Sequence, residues 1–128
     1  MEVNKESRKQ LIKDYKNSVP EIGLYAIKNK LNNKIFLGMS LNLNGPFGRH
    51  QFELRMGNHP CKSMQNDFNS MGEESLSFEI LDKLKRNDNP FYDYKPDLIE
   101  LLELWKDKLR NEGFEVYNNE IPEKMRFY

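Results

Sequence analysis

Apolar positions along this chain fall into short clusters whose spacing switches between the period of a strand and that of a helix. Ile22 to Ile27 and Ile35 to Met39 are apolar runs separated by Asn29, Lys30, Leu31, Asn32 and Asn33, a stretch rich in turn formers. That arrangement predicts a β-hairpin. Leu76, Phe78 and Ile80 alternate with Ser77, Glu79 and Leu81, which predicts a third, half-buried strand over Leu76 to Leu81.

Helical spacing fills most of the remainder. Residues 4–17 are helix-forming and largely charged, with Leu11, Ile12 and Tyr15 as the apolar stripe, and Pro20 ends the segment. Pro46 suits a first helical position, and Gly57 is placed to close the helix after Met56. Another helix runs from about Cys61 to Ser70 and closes at Gly72. The stretch from Pro90 to Pro96 reads as a loop rich in tyrosine and aspartate. A final helix over residues 97–112 carries Leu98, Leu101, Leu102, Trp105 and Leu109 on one stripe and stops at Gly113. Three strands and several amphipathic helices in 128 residues predict one α+β domain over residues 1–128, a three-stranded antiparallel sheet flanked by helices.

Charge and cysteine usage narrow the function classes. Twenty basic and twenty acidic residues cancel, which does not favour a protein held on nucleic acid by phosphate contacts alone. The distribution is uneven: residues 26–63 hold Lys28, Lys30, Lys34, Arg49, Arg55 and Lys62 against Glu53 alone. The one cysteine, Cys61, makes no internal disulfide and no thiolate cluster for zinc. With no long apolar run and a charged start, the expectation is a cytoplasmic protein without a membrane partner.

The order Gly23-Leu24-Tyr25, Ile27-x-Asn29, Asn32-Asn33-Lys34, Phe36-Leu37-Gly38, His50, His59, Gln65-Asn66-Asp67-Phe68-Asn69 and Gly72 closely resembles the GIY-YIG nuclease superfamily across residues 20–82. Trp105 and Tyr117-Asn118 are similar to the family's final elements. The resemblance implies a single-metal site that cuts phosphodiester bonds. A tyrosine opening the second strand helps activate the nucleophile, an arginine on the next helix offsets phosphate charge, and a glutamate on a later helix holds a divalent cation.

At those positions this sequence has Phe36, Pro46 and Leu102. None of the three side chains carries the group its role needs. Tyr25, Arg49, His50, His59 and Asn118 remain. Tyr25 fits an active-site residue or a core aromatic, the two histidines fit catalytic or surface and capping roles, and Asn118 fits a turn. The leading expectation is a GIY-YIG-like domain without hydrolytic activity and without a cofactor, acting as a binding module. Its partner would be DNA or another nucleic acid, met through Lys28, Lys34, Arg49 and Arg55. One alternative is an active endonuclease using Mg2+ or Mn2+, with Tyr25, Arg49 and His50 catalytic and Glu103 recruited to the metal; another is a protein-interaction domain. Ungapped counting predicts that Pro46 begins its helix and that the Arg49 guanidinium turns to solvent or a nearby carboxylate.

Overall fold

The computed structural model describes residues 20–117, so the expected helix over 4–17 and Asn118 lie outside the described residues. Strands β1 (Ile22–Asn29) and β2 (Lys34–Ser40) form the expected antiparallel hairpin. Its turn is built by asparagines: Asn29 Oδ1 accepts from Leu31 N at 2.9 Å, Asn32 Oδ1 accepts from Lys34 N at 3.0 Å, and Asn33 takes φ 56°. Short amides that bond their own backbone, and tolerance of left-handed geometry, are why asparagine suits these places.

Strand β3 (Leu76–Leu84) pairs antiparallel with β1 on its other edge. A bulge interrupts the register: Tyr25 faces Ile80 while Leu24 faces Asp82, leaving Leu81 as the extra residue. The strict alternation expected for this strand therefore ends there. Leu76 and Phe78 turn to one face of the sheet, Leu81 and Leu84 pack on the other, and Ile80 is 43% exposed.

Three helices complete the described fold: α1 (Pro46–Met56), α2 (Lys62–Met71) and α3 (Lys95–Asn111). Pro46 opens α1 as expected, and Gly57 and Gly72 cap α1 and α2 with φ 78° and 85°. Helix α3 begins two residues before the expected Asp97, because Pro96 is accommodated in its first turn. The sheet also corrects the expected strand count. A two-residue β4 (Glu115–Val116) follows Gly113 (φ 96°) and pairs parallel with β2, giving the order β3-β1-β2-β4. Two residues carry no readable periodicity. No described helix is long and apolar enough to cross a membrane.

Strand alternation divides the core into two apolar layers. Leu24, Ala26, Ile35, Leu37 and Met39 face α3, meeting Leu98, Leu102 and Leu109. Trp105 Nε1 donates to Asp82 Oδ2 at 3.1 Å and fastens α3 to β3. Tyr25, Ile27 and Phe36 face the opposite way and meet Leu54 of α1 and Met64 of α2. Tyr117 closes that second layer: its hydroxyl donates to Asp67 Oδ2 at 2.5 Å and accepts from Asn29 Nδ2 at 3.3 Å, while Asn32 Nδ2 donates to the same carboxylate oxygen at 3.0 Å. Burial and the adjacent Asp67 raise the Tyr117 pKa, so the phenol stays a donor.

Candidate active site

Tyr25 sits mid-strand on β1, opposite Gly38 of β2, and its ring lies across that glycine. A Cβ at position 38 would overlap the Tyr25 ring and hydroxyl, and one at position 23 would overlap the Asp82 carbonyl. Both motif glycines therefore serve close approach rather than unusual dihedrals. The ring is fully buried and reaches α1, where the Tyr25 hydroxyl lies 2.6 Å from His50 Nε2. His50 Nδ1 lies 2.7 Å from His59 Nε2, and His59 Nδ1 lies 3.0 Å from Cys61 N. Phe36 and Phe47 wall the chain: Phe36 is edge-on to both imidazoles, with centroids 5.0 and 5.8 Å away, and Phe47 is edge-on to Tyr25 at 5.6 Å.

Burial fixes both histidines as neutral. The His50 pKa is lowered to about 3, mainly by burial, with His59 and then Arg49 adding to the effect. Burial likewise lowers His59 to about 4, against the pull of Glu53, whose Oε2 is 4.0 Å from His59 Nε2. Neutrality then sets the direction of every bond. The Cys61 amide can only donate, so His59 Nδ1 accepts and Nε2 carries the proton. That N–H donates to His50 Nδ1, and His50 Nε2–H donates to the Tyr25 oxygen. A donor aimed at a phenol oxygen stabilises negative charge there, which suits handling of a proton at Tyr25.

The other expected site residues do not converge on this chain. Arg49 has a 59% exposed side chain whose Nε lies 3.4 Å from Glu53 Oε1, in keeping with the ungapped placement. Arg55 pairs with Glu73 at 2.6 Å. Lys28 lies over the Phe114 ring on the α3 side of the sheet, whereas Lys34 lies over Tyr117 on the other side. The four basic side chains proposed for nucleic acid are thus divided between two faces. Glu103, the alternative metal ligand, is exposed on α3 and lies 3.9 Å from Lys106. Helix α3 packs on the sheet face away from Tyr25.

Comparison with known proteins agrees with this geometry. No family model matches the chain. Intron-associated endonuclease 1 of Enterobacteria phage T4 is 38% identical over 50 residues, which are 39% of this chain and 20% of that protein. Two solved structures of the catalytic domain of the homing endonuclease I-TevI, one a point mutant, superpose with TM-scores of 0.63 and 0.57. They are 25% and 29% identical to this chain, cover 80% and 73% of it, and are themselves covered to 97% and 94%. In fold and motif order the chain is similar to the GIY-YIG superfamily.

In this GIY-YIG-like domain Phe36, Pro46 and Leu102 are structurally occupied positions. Phe36 is fully buried against the imidazoles, Pro46 is buried in the first turn of α1, and Leu102 is 2% exposed in the layer beneath α3. Glu53 was not foreseen from sequence, although its spacing of three from His50 puts both on one side of α1. With His59 they form a trio whose ligand atoms lie within 4.8 Å of one another. The donor set does not fit a divalent ion. His59 Nε2 is protonated while Nδ1 accepts from Cys61, so it offers no lone pair, and His50 Nδ1 is already an acceptor.

Proposed function

We propose that this GIY-YIG-like domain is a nuclease-like nucleic-acid-binding module that does not hydrolyse phosphodiesters. The observation that carries the proposal is Leu102. The resemblance places the metal-holding carboxylate there, and the side chain present is apolar, 2% exposed and on the face of the sheet opposite Tyr25. Pro46 at the position of the phosphate-balancing arginine supports the same reading. Nucleic acid as partner is supported by the likeness to endonuclease catalytic domains. Tyr25, His50 and His59 retain a hydrogen-bonded route for a proton, but a proton route alone stabilises neither the phosphate charge nor the leaving group.

The test is incubation of the 128-residue chain with supercoiled plasmid and branched DNA in Mg2+ or Mn2+, beside Tyr25→Phe and Glu53→Gln variants. The expected outcome is no nicking above a metal-only control. Nicking that is abolished by chelator and by Tyr25→Phe would refute the proposal and establish a displaced active site.

A further inference from the structure

A hollow of about 490 Å3 opens beside the chain of histidines, between the α1–α2 turn and the face of α2. Its lining is mainly amides and one ammonium: Asn58, Gln65, Asn66, Asn69 and Lys62, with His59 as neighbour. Gln65 organises it. Its Oε1 accepts from His59 N at 3.1 Å, and its Nε2 donates to Leu54 O and to Asn69 Oδ1, both at 3.0 Å. The buried glutamine thus ties the turn to the end of α1 and fixes the Asn69 amide, leaving Asn69 Nδ2 as a donor for the hollow.

Asn58, Lys62 and Asn66 make no side-chain hydrogen bond to another described residue. The first turn of α2 has no acidic residue, and its N-cap Cys61 provides no side-chain cap, so the rim favours an anion. The volume is that of a small-molecule site. Paired donors and acceptors of amides match the edge of a nucleobase, and an ammonium at the rim matches its phosphate.

We propose that this hollow receives one unpaired nucleotide of a nucleic-acid strand, its base edge on Asn66 and Asn69 and its phosphate on Lys62. This rests on the nucleic-acid reading above and adds where and in what form the strand is held. An unpaired base presents the edge that pairing would hide.

Fluorescence anisotropy of the full chain would test it with four labelled probes: a single-stranded oligonucleotide, the same strand with abasic sites, a paired duplex, and a duplex with one bulged base. Expected is tighter binding of the single strand and the bulge than of the abasic strand and the paired duplex. Asn66→Ala and Asn69→Leu should weaken only the base-bearing probes, by about tenfold, while Lys62→Ala weakens the base-bearing and abasic strands alike. Among the described residues Asn66 joins no side-chain network, so its variant tests the site even if Asn69→Leu unfolds. Equal affinity for paired and unpaired probes, unchanged by Asn66→Ala, would overturn the pocket while leaving nucleic-acid binding intact. No binding of any probe would overturn both. Free mononucleotide bound as tightly as the strand would overturn a strand as the occupant.

Discussion

Acidification within a narrow window should destabilise this domain through two residues alone. The chain has two histidines, and both are buried at the centre of one hydrogen-bonded chain. Their folded pKa values of about 3 and about 4 lie below the unfolded value of 6.5. The unfolded state therefore takes up protons that the folded state refuses, so stability is intact above pH 6.5 and declines as pH falls toward the folded values. At pH 5.5 each unfolded histidine gains about one pKa unit of protonation free energy, about 1.4 kcal/mol, or roughly 3 kcal/mol for the pair. For a domain of this size that is a fall in Tm of about 10 °C or more. Carboxylates titrate mainly below this window, so urea denaturation at pH 7.5, 6.5 and 5.5 isolates the effect. A His50→Phe, His59→Leu double variant should lose the pH dependence whatever its absolute stability. A wild-type protein equally stable at pH 7.5 and 5.5 would show that the imidazoles are not held neutral, and the bond directions assigned to the chain would fall with that result.

Three further substitutions separate the packing claims. Gly38→Ala should displace the Tyr25 ring and break its bond to His50, with a loss of about 2 kcal/mol or more in thermal denaturation; a variant as stable as wild type would contradict the close approach. Leu102→Glu should not restore a metal site but should destabilise by on the order of 3–5 kcal/mol, because it places a carboxylate in the apolar layer under α3. A well-folded Leu102→Glu protein that nicks plasmid would refute that placement. Since Lys28 and Lys34 lie on opposite sides of the sheet, no more than one of Lys28→Ala and Lys34→Ala should weaken DNA binding and flatten its salt dependence by about one unit of slope; equal losses from both would point to a strand wrapping the sheet edge.

The hairpin was legible because its asparagines act locally: each bonds its own backbone, so sequence alone locates the turn. The helix over Pro46–Met56 was equally legible, bounded by a proline at its start and a left-handed glycine at its end. Features decided by distant pairing were not. The bulge at Leu81 answers to the register against β1, and β4 exists only because the chain after Gly113 returns to the edge of β2. Tyr25, His50 and His59 were singled out from sequence, but the element that orients the chain they form is the Cys61 backbone amide, which no side-chain pattern reveals. The basic stretch of residues 26–63 failed to predict one surface because of cross-strand register: Lys28 of β1 pairs with Ile35 of β2, so Lys34, one position along β2, faces the opposite way.

The chain of Tyr25, His50 and His59 has a structural explanation that does not depend on catalysis. Each imidazole nitrogen in the chain is satisfied by its neighbour, deep between Phe36 and Phe47. Removing one ring would leave its neighbour's donor or acceptor buried without a partner, a penalty of about 1–3 kcal/mol. The substituted positions carry no such coupling: Phe36 and Leu102 are apolar groups in apolar layers, and Pro46 occupies a helix start where its missing N–H breaks no bond. Hydrocarbon at positions 36 and 102 suits the buried apolar layers it lies in, whereas the tyrosine and histidines cannot be exchanged singly without stranding a buried partner. The retained chain is therefore evidence for the fold and for a rigid wall beside the α1–α2 turn, and its presence alone is no argument for hydrolysis. The same Gln65 that fixes the His59 backbone also orients Asn69, so the rigidity of the buried chain is transmitted to the amide hollow where a strand would be recognised.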